Sequence, residues 1–438
     1  MSLRVAAAAR AIAILSLLAG AALLPAAAEG ATAAPGDRGS AVRASPARVA
    51  IQELLDRRST AVATRDRQAF LSTIEDSSPA FVRRQRRLFD AMGGIDFDGY
   101  ELRARWGRYG DLVRPSDRRR YPGASSVSIP LTEERYRIAG FDAEDAAEDL
   151  FYTFVERDGR WLIAEDTDLD DIALFSARHL WDQGRLTSES SEHFLQLEHP
   201  CDGSDCLELS GDFLALAERG VARVEAYWDG PWRKNTLVLV PGSTKELARM
   251  LQATIDLDNF VAFAYSTVDV ENSFDYTGHR ILLNPKAFQV ESEDQVFTIL
   301  AHELLHIATR DAAGPFMPVF VDEGFAEITA YDGDPEALAF FVAEQAAGNF
   351  DGKLPKDFEF NTGEGTDIYM SYQEAQSAVK FFTDEWGLAT FNDFYRTLGA
   401  VDLAPGTTRY HLDRALNEST GLGYAEFQKQ WASSINGL

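Results

Sequence analysis

Residues Val296-Phe-Thr-Ile-Leu-Ala-His-Glu-Leu-Leu-His-Ile-Ala308 carry the pattern H-E-x-x-H inside an apolar run. Helical spacing puts His302 and His306 one above the other on one face, so both imidazoles reach a single metal ion. Zinc suits such a pair, because neutral imidazole nitrogen is among its preferred ligands. Glu303, next to the first histidine, is then placed to take a proton from water and pass it to a leaving group. The chain has 7 histidines in 438 residues, and a chance H-E-x-x-H is expected on the order of once in a hundred such chains. The competing reading is a buried helix whose histidines are satisfied by hydrogen bonds.

A catalytic zinc commonly takes three protein ligands and keeps a fourth position for water. The pattern H-E-x-x-H-x-x-G-x-x-H needs glycine at 309 and histidine at 312, and the chain has Thr309 and Ala312. Further on stands Val319-Phe-Val-Asp-Glu-Gly-Phe-Ala-Glu327. Its segment Asp322-Glu-Gly-Phe-Ala-Glu327 resembles the N-E-G-F-A-E segment of gluzincin peptidases, the aminopeptidase N and thermolysin-like class. The resemblance implies one Zn2+ per chain, with Glu323 as the third ligand beside His302 and His306. Glu327, one helical turn later, is placed to accept a hydrogen bond from a ligand histidine and so fix its tautomer. Asp322 departs from the family's asparagine. An exposed acidic helix face is the alternative for Glu323 and Glu327, but Phe320, Val321, Phe325 and Ile328 mark a mostly buried helix.

A third block extends the likeness. In aminopeptidase-N-like enzymes a tyrosine opens a helix, with a glycine fifteen positions on. Here Tyr372-Gln-Glu-Ala-Gln-Ser-Ala-Val-Lys-Phe-Phe-Thr-Asp-Glu-Trp-Gly387 has those offsets, followed by Phe391. The family tyrosine hydrogen-bonds the oxyanion of the tetrahedral intermediate, a role that falls to Tyr372, with Tyr369 as its near competitor. The resemblance covers residues 192–438. The aminopeptidase segment G-x-M-x-N is missing upstream of Ala301. In its place stands Arg280-Ile-Leu-Leu-Asn-Pro285, read as the edge strand that pairs with an extended substrate. An endopeptidase is favoured on that ground.

Residues 1–28 read as a secretory signal peptide. Arg4 and Arg10 precede the apolar stretch 11–24, which ends in Pro25-Ala-Ala-Ala28. Its length is short for a membrane span, and no cysteine follows the cleavage site to take a lipid. Residues 29–45 read as a disordered leader rich in Ala, Gly, Pro and Ser. An exported location is expected, with no stable membrane insertion after signal removal. Cys201 and Cys206 enclose a short polar turn and are expected to form a disulfide, two free thiols being the alternative.

The formal charge is −27, of which residues 205–438 supply −21 and residues 1–204 supply −6. Such acidity disfavours nucleic acid and anionic membranes as partners. It favours cationic substrates or serves solubility alone. The length suits two domains.

Residues 46–186 show helical periodicity at 47–63, 67–74 and 79–92. Strand-like runs follow at 125–130, 135–138 and 150–156, then the hairpin signal Arg157-Asp-Gly-Arg-Trp-Leu-Ile-Ala164. This order resembles the nuclear-transport-factor-2-like cone, and no chemistry is assigned to it. Arg83, Arg84, Arg86 and Arg87 read as a solvated helix face or as a contact surface for the acidic domain.

Within the second domain, strands are expected at 193–198, 236–241 and 261–265. Helices are expected at 213–227, 243–253, 372–386, 390–398, 410–416 and 424–431. His279 and His411 read as structural. The expected fold is therefore α+β, a cone-like domain followed by a thermolysin-like peptidase domain with a helical C-terminal part. The expected function is a secreted zinc metallopeptidase acting on peptides or proteins through a zinc-activated water. The alternative is a catalytically silent binding module at the cell surface, which has no need of Glu303.

Overall fold

A computed structural model describes residues 17–18, 45–200, 207–209, 211–253, 256–268, 276–288, 292–314, 316–400 and 408–435. The fold is α+β. By contacts the chain divides into two compact units. One comprises Ala19–Thr187 with Thr267–Gly278, and the other Met1–Leu18, Ser188–Ser266 and His279–Leu438. Of residues 1–44 only β1 (Leu17–Leu18) is described. The rest of the expected signal peptide and leader lies outside the described residues, as do Cys201 and Cys206.

The N-terminal unit begins with α1 (Pro46–Ala63), α2 (Arg67–Leu71) and α3 (Pro79–Met92). Ser45, Asp66 and Ser78 cap these helices by accepting from the backbone N–H groups of Arg48, Ala69 and Phe81. Pro46 and Pro79 open α1 and α3, where a missing N–H costs nothing. Next come β2 (Phe97–Arg105), α4 (Trp106–Tyr109), α5 (Pro115–Arg120) and β3 (Ser126–Ser128). The unit continues with β4 (Leu131–Ile138), β5 (Ala146–Leu150), β6 (Thr153–Arg157) and β7 (Arg160–Glu165). The strands make two antiparallel sheets, β2-β4-β5 and β3-β6-β7. The run 150–156, expected as one strand, breaks at Phe151 and Tyr152. Both are buried, Phe151 in one apolar cluster with Ile129, Leu131 and Leu169, and there the chain passes from one sheet to the other. Asp158 (φ 49°) and Gly159 (φ 72°) close the β6–β7 hairpin in the left-handed conformation that an Asp-Gly turn uses.

Strand β2 is held by α1. Ser59 Oγ accepts from Leu102 N–H, and Gln52 bonds both Leu102 C=O and Ala104 N–H. Arg83, Arg86 and Arg87 are exposed, whereas Arg84 pairs with Glu165 and Asp166. The interior also holds a polar group that the sequence did not reveal. Glu134 accepts from Tyr100 Oη at 2.6 Å and meets His179 Nε2 at 2.7 Å, and His179 stacks on Trp181.

The second unit opens with β8 (Thr187–Ser190), β9 (Phe194–Glu198), α6 (Phe213–Tyr227) and β10 (Thr236–Val240). Then follow α7 (Thr244–Met250), β11 (Ala262–Val268) and β12 (Tyr276–Leu283). Its sheet has the order β1-β11-β12-β10-β9-β8, with β10 parallel to both β9 and β12. The strand expected at 280–285 is therefore interior, not an edge. Seven of the eight β12 residues are buried, and a strand covered on both faces gives the same continuous apolar run. Strand β11 lies farther out, and Leu17 and Leu18 pair with its Tyr265 and Ser266 in parallel. The ends of β11 and β12 from Thr267 to Gly278 belong to the N-terminal unit, where Thr267 Oγ1 accepts from Ala147 N–H.

The remainder is helical: α8 (Glu293–Ala313), α9 (Val319–Ala330), α10 (Ala339–Ala347) and α11 (Gly365–Trp386). It ends with α12 (Leu388–Gly399), α13 (Thr408–Thr420) and α14 (Tyr424–Ile435). Among the described residues no helix is long and apolar enough to cross a membrane.

Candidate metal centre

Helix α8 starts at a reciprocal cap. Ser292 Oγ accepts from Gln295 N–H, Gln295 Oε1 accepts from Ser292 N–H, and Glu293 and Asp294 sit where the helix dipole favours negative charge. Three turns on, His302 and His306 are buried with their rings 4.8 Å apart. Helix α9 brings Glu323 to them. His302 Nε2 lies 3.0 Å from His306 Nε2 and 3.1 Å from Glu323 Oε2, and His306 Nε2 lies 3.3 Å from the same oxygen. Three ligand atoms around a tetrahedral zinc at usual bond lengths stand about 3.3 Å apart. The spacing fits.

Charge points the same way. Glu303, Glu323 and Glu327 are buried around the two imidazoles, and Asp322 is largely so, its side chain 15 % exposed. Buried carboxylates are costly unless paired or bound to a cation. The protein's own response is to load protons onto the histidines. Burial pushes His302 down, but Glu323 and Glu327 outweigh it and lift the group to about 9. His306, equally desolvated, is lifted to about 10 by Glu323 and Asp322. A divalent cation held by His302, His306 and Glu323 satisfies the same acids without those protons.

Glu303 differs from its neighbours. Both of its carboxylate oxygens are buried and neither has a hydrogen-bond partner. Burial pushes it up to about 7, against the pull of the His302 and His306 charges. The Ala264 backbone on β11 also eases its ionisation, without forming a hydrogen bond to it. A carboxyl so placed can hold or release a proton near neutral pH.

Glu327 Oε1 lies 3.0 Å from His302 Nδ1, off the line of a straight hydrogen bond. Tyr372 is fully buried, its ring 6.4 Å from His302 and 5.2 Å from Phe360. It does not open its helix. Helix α11 starts seven residues earlier at Gly365, where Asp367 caps it by accepting from Glu364 N–H. Tyr369 packs on Phe340. Two further residues, to which the sequence assigned no role, stand beside the cluster. Asp322 Oδ2 lies 3.3 Å from His306 Nδ1, and its other oxygen accepts from Tyr395 Oη on α12. Adjacency to Glu323 was a signal for Asp322; Tyr395, 73 residues away, had none. His279 Nδ1 meets Ser266 Oγ at 2.8 Å. No protein-family model matches the chain, and no curated protein matches it.

Proposed function

We propose that the chain is a zinc-dependent peptidase of the gluzincin type. The observation that carries this reading is the three-atom cluster of His302, His306 and Glu323, with the unpartnered carboxylate of Glu303 beside it. Zinc bound there supplies Lewis acidity toward a carbonyl oxygen and lowers the pKa of water toward neutrality. Glu303 takes a proton from the attacking water as its oxygen bonds the carbonyl carbon. It then returns that proton to the amine as the carbon–nitrogen bond breaks. Tyr372 donates a hydrogen bond to the oxyanion. Strand β11 borders Glu303, and its outer edge accepts an extended segment, as its pairing with Leu17 and Leu18 illustrates. A substrate backbone laid along that edge is held beside the base by main-chain hydrogen bonds.

Endopeptidase action is favoured, since no aminopeptidase segment precedes α8 to bind a free amino terminus. Export, a mature start near Glu29 and a Cys201–Cys206 bridge complete the proposal, with a nuclear-transport-factor-2-like domain ahead of the peptidase. A mixture of diverse peptides incubated with zinc-loaded protein and mapped by mass spectrometry tests it. Internal cuts that a chelator abolishes are expected. Intact peptides would refute the peptidase reading and favour the binding module.

A further inference from the structure

Each ligand imidazole has a second nitrogen, and each of these faces a carboxylate on α9. Glu327 stands behind His302 and Asp322 behind His306. The two acids differ in how they are held. Asp322 is fixed from the far side by Tyr395 Oη, which donates to its Oδ1. Tyr395 is itself fully buried, its ring 5.6 Å from Phe325, 5.7 Å from Trp228 and 6.4 Å from Phe391. A ring caged by three others has no room to change rotamer. Helix α12, which carries it, is seated on the end of α8. A Cβ at Gly399 would stand 1.7 Å from Ala312 O, so only glycine permits this approach.

We propose that Asp322 and Tyr395 form a positioning pair that aims His306 Nε2 at the cluster and adds negative charge behind it. The proposal rests on the reading of His302, His306 and Glu323 as zinc ligands. An imidazole whose Nδ1–H faces a carboxylate presents its Nε2 lone pair to a metal and is the more basic ligand. Asp322 Oδ1 accepts from Tyr395 Oη, while Oδ2 faces His306 Nδ1 at 3.3 Å, off the line of a straight hydrogen bond, so the charge of a carboxylate acts there chiefly through space. Asparagine of the same shape keeps one acceptor, turns an amide N–H toward the other partner and removes the charge.

Zinc dissociation constants by competition with a chromophoric chelator test the pair, with melting temperatures of the metal-free proteins measured alongside. Asp322→Ala is expected to weaken zinc binding about 10- to 100-fold. Asp322→Asn should fall between it and wild type, because shape is rescued and charge is not. Tyr395→Phe, which leaves Asp322 unpinned, should weaken binding by less than Asp322→Ala. Wild-type affinity in both Asp322→Ala and Tyr395→Phe would overturn the proposal while leaving the zinc reading intact, even if melting temperatures drop. Wild-type protein that binds no zinc would overturn both.

Discussion

Gly324 sits between Glu323 and Phe325 on α9, at the point where that helix crosses α11. A Cβ built on it falls 2.4 Å from Ala375 O, 2.6 Å from Val379 Cγ2 and 2.8 Å from Ala375 C. Real Cβ atoms essentially never come within 3.0 Å of such neighbours, and ordinary contact begins at 3.4 Å. Gly324→Ala therefore forces the helices apart by about 0.6–1.0 Å, since the nearest obstacle is backbone and not a flexible side-chain end. Overpacking of this kind costs about 1–3 kcal/mol. Better helix propensity returns up to about 1 kcal/mol, so the net loss of stability is on the order of 0–2 kcal/mol.

The functional loss is expected to be larger, because α9 carries Glu323 and α11 carries Tyr372. Whichever helix yields, one of the two leaves its place, and a site of this kind tolerates about 0.5 Å. A displacement near 1 Å lowers turnover on the order of 100-fold. Peptide turnover, bound zinc and melting temperature of Gly324→Ala measure this. Gly107→Ala, where nothing lies within 4 Å of the new Cβ, serves as the control. Wild-type turnover in Gly324→Ala would refute the claim that α9–α11 spacing sets the site.

His302→Ala should lose nearly all bound zinc in elemental analysis, because it removes one of the three proposed ligands; full retention would refute the ligand set. Tyr372→Phe should lower kcat more than it changes KM in steady-state assays, since the hydrogen bond forms chiefly in the transition state; a change in KM alone would contradict that role. In the N-terminal unit, burial lowers His179 but Glu134, with help from Asp182 and Glu148, raises it to about 9. A group raised in the folded state stabilises most below its unfolded pKa of about 6.5, and that stability is lost as pH rises through 9. Melting temperatures from pH 7 to 10 should fall more steeply for wild type than for His179→Gln, a difference worth at most about 3 kcal/mol; parallel curves would show that the pair does not act this way.

What was legible in the sequence was local pattern. Helices α1, α3 and α6 follow from apolar spacing, and His302, Glu303 and His306 from spacing within one helix. Glu323 needed the likeness of a second segment, since nothing in an isolated acidic helix says which residue it will face. What stayed hidden depends on distant partners. Strand β2 has one fully buried residue and draws its support from Ser59 and Gln52 on α1. The Tyr100–Glu134–His179 group joins three separate segments, and Tyr395 reaches Asp322 from another helix. The interior place of β12 follows from strand order, which an apolar run alone does not encode.

The most direct test compares peptide turnover by zinc-loaded wild-type protein with that by zinc-loaded Glu303→Gln. Glu303 is no ligand in this scheme, so the variant should keep one zinc per chain and its fold while losing nearly all hydrolysis. Turnover at the wild-type rate in Glu303→Gln would contradict the central claim.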